Sequence, residues 1–443
     1  VDPADALALL LSPQGRIDPY PTYERLRGHG PVVPAGPAFH LVTGYSEADA
    51  ILRDARFGVM DDDLRDQFLP GWRESPAVAS ISRSMLRTNP PDHSRMRRLA
   101  AGAFTPRRIA AMRDVVEAQA DELVDRMLAR AGAGEPVDFM AEFAYPLPVA
   151  VICALLGVPA ADRPLFRRWA TDLTGVLEPE ISPDELALAD RGATELRDYF
   201  TDLVAARRRA PADDLTTALV QAHDAGGHNS ASAPPGGATD RMRADGDRLS
   251  GDELLSNLVV LLVAGFETTT NLLGNGLVVL LDHPAAAAAL REHPEFAPGY
   301  VEELLRYDSP VQLTSRMSTE PTRYGGVDLP AGSWLIVLLG AANRDPGRYP
   351  EPARFDPWRP QVHPLSFGAG PHYCLGAGLA RLEAQVAFPL LLRRLPGLAL
   401  AGPGERRIRL TLRGYATLPV TVGDGASRVT DRGTPAGATG STP

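Results

Sequence analysis

Residues Leu254 to Leu281 restrict this chain more than any other feature: the stretch is apolar on most faces and long enough for many turns of helix. A helix that is apolar all round has to be enclosed by protein or by lipid. Its longest uninterrupted apolar run, Leu258 to Phe266, ends at Glu267, well short of the ~18 residues that cross a bilayer. The segment therefore reads as a buried central helix. Elsewhere apolar residues recur at three- and four-residue steps in Arg107 to Ala131, Asp184 to Arg209, Ser250 to Leu281, Ala297 to Tyr307 and Gly376 to Leu395, which predicts helices. Strand-like stretches are few and short: His40 to Thr43, Trp334 to Leu339 and Ile408 to Val422. The pattern predicts a mostly α fold with a small β region.

A chain of 443 residues with no long linker until late predicts one large domain, over 1–422. Between His223 and Arg248 the composition turns to Gly, Ser, Ala, Pro, Asp and Arg, which predicts a flexible surface loop over 223–248. The residues 423–443 predict a disordered tail for the same reason. No internal repeat is present.

Composition removes several classes of function. The 45 basic residues are all arginine, so Schiff-base chemistry through lysine and phosphate-loop nucleotide hydrolysis are excluded. A net charge of −10 argues against nucleic acid as a partner. Two cysteines far apart, Cys153 and Cys374, suggest a reducing compartment rather than a disulfide framework. No basic segment followed by an apolar one opens the sequence, which predicts a cytoplasmic protein that engages no membrane.

Cys374 lies in Phe367-Gly368-Ala369-Gly370-Pro371-His372-Tyr373-Cys374-Leu375-Gly376, a glycine-rich turn running into a predicted helix. Such a turn suits a thiolate haem ligand. Glycines at 368, 370 and 376 are expected to take positive φ and turn backbone N–H groups toward the sulfur, and the positive end of the helix favours its ionised form. A zinc site would need more soft ligands, and Cys153 sits alone in the apolar run Leu147 to Cys153. A dinucleotide loop would need G-x-G-x-x-G, but Tyr373 and Arg381 stand where the third glycine belongs.

With Phe367, Gly370, His372, Cys374 and Gly376 in F-x-x-G-x-H/R-x-C-x-G, the chain resembles the cytochrome P-450 family of haem-thiolate monooxygenases, over nearly its whole length from Asp18 to Val422. The resemblance implies the triangular, prism-like helical domain of that family. The cofactor would be haem b (iron protoporphyrin IX) with Cys374 as axial thiolate and O2 as co-substrate. In Ala264-Gly265-Phe266-Glu267-Thr268-Thr269, Gly265 and a Thr268 hydroxyl bonded back to the Ala264 carbonyl are expected to loosen the helix and open a groove. The resemblance makes Glu267 and Thr268 the acid and alcohol that relay protons for oxygen activation. It makes Glu303 and Arg306 an E-x-x-R pair completed by Arg359, and it makes His93, Arg97, Arg316 and His372 the haem propionate contacts.

Substrate-facing positions follow only by analogy: Phe68, Trp72 and Ile81 from a loop spanning Met60 to Met85, then Leu173, Val176, Leu177, Val260, Val311, Leu313 and Tyr415. Such a lining suits a bulky, mostly apolar molecule, and the resemblance points to tailoring of a polyketide, terpenoid or aromatic secondary metabolite. Arg95, Arg98, Arg107, Arg108 and Arg381 form a basic patch expected to dock a ferredoxin, fed by an NAD(P)H-dependent reductase. Two other readings stay open: a haem-thiolate peroxygenase, isomerase or dehydratase needing no reductase, and a haem sensor or carrier. The proton-relay pair argues against both.

Overall fold

The computed structural model describes residues 3–131, 135–224 and 248–423. Most of the predicted surface loop and the predicted tail lie outside these residues. His223 and Asp224, expected at the start of the loop, still belong to the helix Leu215–Asp224.

The central helix runs from Gly251 to Asp282. Its start is fixed by reciprocal capping: the Ser250 hydroxyl accepts the Glu253 N–H at 3.1 Å, and the Glu253 carboxylate accepts the Ser250 N–H at 2.7 Å. By length and composition it would pass for a membrane span, yet 78% of its most apolar 18-residue window is buried inside the fold. It is a core helix, and glycines let its neighbours come close. A Cβ on Gly265 would stand 2.7 Å from the Ile152 side chain, and one on Gly274 2.7 Å from the Met140 sulfur. A Cβ on Gly276 would run into the Phe388 ring. The helices Pro146–Leu156 and Ala377–Arg394 are thereby seated against it.

Around this helical core lie small sheets. A five-stranded sheet takes the order Val32–Gly36, Phe39–Val42, Trp334–Val337, Thr314–Ser318, Phe57–Gly58. Its one parallel pair joins Phe39–Val42 to Trp334–Val337. A three-stranded sheet joins Val137–Asp138, Pro419–Gly423 and Gly397–Leu400. The larger sheet has its own apolar cluster, including Val42, Ile51, Leu335 and Leu365.

Four expectations are corrected. Arg107 to Ala131 is two helices, Pro106–Ala111 and Arg113–Arg130. The strand expected over Trp334 to Leu339 ends at Val337, and Leu339 opens a short helix. The expected loop Met60 to Met85 contains the helices Asp62–Phe68 and Pro76–Ser82, because Asp61 and Ser75 accept the N–H groups of Leu64 and Val78 as N-caps. The expected strand Ile408 to Val422 is broken, with only Tyr415–Thr417 and Pro419–Gly423 extended. Its first half makes only a single bridge, Leu412 to Val311, and the Glu178 carboxylate takes the N–H groups of Leu410 and Thr411 at 2.8 and 3.2 Å.

Gly276→Val should overpack the contact between the central helix and Ala377–Arg394 and destabilise the protein by about 1–3 kcal/mol. An unchanged denaturation midpoint would show that the Phe388 ring moves aside freely.

Candidate active site

Gly368 and Gly370 take φ of +67° and +66°, the left-handed region that glycine alone enters without strain. Gly370 is doubly constrained, since a Cβ there would also meet the Leu52 carbonyl and lie 2.9 Å from the Arg53 Cα. Gly376 differs from expectation. Its φ is −85°, and it serves as the N-cap of Ala377–Arg394, so the turn needs no left-handed residue there. The Cys374 N–H closes the loop onto the Phe367 carbonyl at 2.9 Å. Burial pushes the Cys374 thiol up, while the N–H groups of Gly376 and Ala377 and the charges of Arg97 and Arg381 pull the other way without overcoming it. The Arg381 guanidinium also covers the Phe367 ring, 4.4 Å from its centroid.

On the helix Ala297–Tyr307, Arg306 makes two 2.7 Å bonds to the Glu303 carboxylate, and both side chains are wholly buried. The remaining Arg306 donors reach the carbonyls of Asn343, Pro352 and Arg354 at 3.1, 2.8 and 3.1 Å. Glu303 also accepts the Asp356 N–H at 2.9 Å. Arg359 approaches it to 3.6 Å and spends its terminal donors on the carbonyls of Pro350, Glu351 and Arg354. The three residues expected as a network are therefore together.

The four expected propionate contacts also converge. The His93 and His372 rings lie 4.0 Å apart. Burial, then Arg97 and Arg316, push His93 down to about 4. Burial, then His93 and Arg316, push His372 to about 3. His93 Nδ1 is buried without a hydrogen-bond partner. Arg97 donates to the Tyr373 carbonyl at 2.6 Å. Arg316 is buried, bonded to the Ser315 carbonyl at 2.8 Å, and lowered to about 10 by burial and by Arg87.

On the central helix, Ala264 is exposed and Gly265 and Thr268 are half-buried, although their neighbours are mostly buried. The Thr268 hydroxyl bonds to the Ala264 carbonyl at 3.0 Å, as expected, but the helix stays continuous. Gly265 provides close approach to Ile152 rather than a break. Glu267 is 1% exposed and forms an ion pair with Arg407. Its other oxygen lacks a hydrogen-bond partner. Glu267 and Thr268 thus face different partners.

Several expected substrate positions are buried among protein side chains. Leu173 is wholly enclosed, and Leu313 packs with Tyr20, Leu41 and Leu338. Trp72 carries the guanidinium groups of Arg65 and Arg73 over its ring, 4.8 and 4.4 Å from the centroid, with its ring N–H on Asp66 at 2.8 Å. Ile81 and Val260 lie in the helical core, and Tyr415 is covered by Arg406 at 3.8 Å. Val176, Leu177 and Val311 remain half-buried, and Phe68 is exposed beside Trp334. The basic patch is also smaller than expected. Arg95 pairs with Glu253 and Asp92, Arg381 with Glu302, and Arg108 with Asp213.

Sequence reasoning missed Arg87 and Arg407. Neither belongs to a motif, and Arg407 reaches Glu267 across 140 residues of chain.

The donor set fits haem. Arg87, Arg97 and Arg316 have no acidic partner among the described residues, and the His93 nitrogen is orphaned beside them. Propionates would be held by His93, Arg97, Arg316 and His372, and the iron by the Cys374 sulfur.

A family model described as Cytochrome P450 matches residues 59–397. The chain is 41% identical over 411 residues to the cytochrome P450 monooxygenase PikC of Streptomyces venezuelae, covering 91% of each chain. It is 40% identical over 419 residues to the 6-deoxyerythronolide B hydroxylase of Saccharopolyspora erythraea, covering 91% of this chain and 96% of that one. The solved structure of P450BioI in complex with a hexadec-9Z-enoic acid ligated acyl carrier protein superposes with a TM-score of 0.81 at 35% identity, covering 93% of this chain and 100% of that one.

Glu303→Ala should leave Arg306 buried without its anion and cost about 3–5 kcal/mol. The yield of folded, haem-loaded protein measures it, and an ordinary yield would show that the backbone carbonyls suffice.

Proposed function

The chain belongs to the cytochrome P450 family of monooxygenases, and we propose that it inserts one oxygen atom from O2 into a C–H or C=C bond of a bulky, mostly apolar secondary metabolite. The observation that carries the reading is the Cys374 loop, with its two left-handed glycines and its N–H groups on the sulfur. Haem bound there would supply oxygen activation, helped by electron donation from the thiolate.

The protein's own part is to hold charge and move protons. Gly376 and Ala377 stabilise the thiolate, which bonding to a cationic iron would draw out of its protonated form. Arg97, Arg316, His93 and His372 would hold the carboxylates of the cofactor. Thr268, accessible beside Ala264, presents a hydroxyl that donates a proton at the reacting face, and Glu267, once it has left Arg407 and taken up a proton from water, passes that proton to Thr268. The half-buried Val176, Leu177 and Val311 favour an apolar substrate. A polyketide is the class to try first, beginning with 6-deoxyerythronolide B, the compound in the name of one relative. Electrons would come from a ferredoxin and its NAD(P)H-dependent reductase in the cytoplasm, docked over the exposed Arg98 and Arg107.

Reduced protein with carbon monoxide should give the strongly red-shifted band of thiolate-ligated haem, and Cys374→Ser should abolish it. A normal band in that variant would overturn the ligand assignment. In turnover with ferredoxin and reductase, Thr268→Ala should lower product formed per NAD(P)H about tenfold and release peroxide instead, a loss at or below the usual range for a missing proton donor. Unchanged coupling would assign the proton to another group. Full activity with peroxide and no ferredoxin would establish the peroxygenase reading.

A further inference from the structure

Arg87 is a guanidinium with no use yet assigned. It is half-buried, and its one side-chain hydrogen bond goes to a neutral group, the Ser315 hydroxyl, at 3.2 Å. Its charged neighbours are also cations. Arg65 reaches the Arg87 carbonyl at 3.3 Å, and Arg316 bonds to the carbonyl of the same Ser315. Arg65 shows what such a group ordinarily has, since it pairs with Asp62 and with the Met60 carbonyl. Arg87 has no such acid among the described residues. Burial and then Arg65 lower its pKa, so ionisation there is opposed from both sides.

The backbone around Arg87 is nevertheless held firmly. The Asn89 side chain accepts the Val59 N–H and donates to the Val59 carbonyl, both at 2.8 Å, and Thr88 bonds to the Ser84 carbonyl at 2.8 Å. A planar fork kept in place beside another cation, with nothing to neutralise it, is preorganised for a bidentate anion. The local charge count agrees. Three guanidinium groups, Arg87, Arg97 and Arg316, share this region without a protein carboxylate, while a haem brings two propionates. One positive charge is left over.

We propose that Arg87 is a carboxylate-binding residue of this cationic cluster, additional to His93, Arg97, Arg316 and His372. The inference rests on the haem-thiolate reading above. The carboxylate has two possible sources, a haem propionate or the acid group of a substrate, and both present the same two-oxygen fork to Arg87.

The test compares the wild-type holoenzyme with Arg87→Gln and Arg87→Lys. Two quantities are read: the rate of haem transfer to excess apomyoglobin, and the dissociation constants of dodecanoic acid and methyl dodecanoate from the ferric Soret shift. Haem transfer accelerated about tenfold in Arg87→Gln and partly restored in Arg87→Lys assigns the propionate, an effect in keeping with one lost charge-assisted hydrogen bond. Unchanged haem transfer, with acid binding weakened about tenfold and ester binding unaltered, assigns a substrate carboxylate. Wild-type values for both quantities overturn the proposal. The carbon monoxide difference spectrum of the wild-type protein keeps the two hypotheses apart. If it lacks the thiolate band, the functional reading fails; if it has the band and Arg87→Gln changes nothing, only the Arg87 proposal fails.

Discussion

The buried pair Glu303–Arg306 is the interaction on which the geometry of the site depends. Its worth is positional, because a buried ion pair gains little net stability over apolar packing once both charges have been stripped of water. Each side chain also binds backbone from a segment with little regular structure: Arg306 holds the carbonyls of Asn343, Pro352 and Arg354, and Glu303 the N–H of Asp356. Asn343, fixed in this way, accepts the Leu365 N–H at 2.7 Å and donates to the Ser366 hydroxyl at 2.9 Å. Ser366 in turn bonds to the Leu305 carbonyl on the helix that carries the ion pair. The cysteine loop starts at that point. Its sulfur is thus placed by a closed circuit of buried polar bonds, each with a defined direction, where apolar contacts alone would let the loop slide.

The sequence made part of this visible. The Cys374 loop and E-x-x-R are local patterns, and the helices Pro183–Arg209 and Ala297–Tyr307 follow from apolar spacing within a few residues of their predicted ends. What stayed hidden depends on distant partners. Phe57–Gly58 is a strand only because Met317 and Ser318 lie beside it, and two residues carry no periodicity to detect. The segment 408–414 carries strand-forming residues, yet the N–H groups of Leu410 and Thr411 go to a carboxylate more than 230 positions away. Arg407 escaped notice for a similar reason, since an arginine in a loop announces no partner. The substrate positions are hidden for another reason: an apolar residue suits a core as well as a pocket, and only packing separates the two.

The all-arginine composition gains a structural meaning from the interior. A lysine ammonium is strongly hydrated and costly to bury, whereas guanidinium is planar, weakly hydrated and able to stack. Here Arg344 lies 3.6 Å from the Tyr20 ring centroid, and Arg406 stacks on Tyr415 while bonding to Asn275 and Asp308. A protein of net charge −10 can therefore keep an inner region cationic. That inversion of sign suits the region around Arg87, Arg97 and Arg316 to carboxylates.

Asp308 extends the argument to the ends of the chain. Burial opposes its ionisation, yet Arg413 and Arg406 hold its carboxyl well below the usual range. It caps the same helix that carries Glu303 and Arg306, and it takes the Tyr20 hydroxyl at 2.9 Å and Arg413 at 2.6 Å. One short helix thus joins the cysteine loop, the N-terminal helices and the C-terminal strands through groups that water does not reach. The 174–180 segment is attached differently. Glu178, Glu180 and the Leu177 carbonyl hold it to 410–411 and to Arg16 through part-buried or exposed bonds. Water can replace those bonds at little cost, whereas a break in the Glu303 or Asp308 circuit strands a buried charge. The 174–180 side is therefore held by bonds that cost little to open, and the cysteine side by bonds that cost much more.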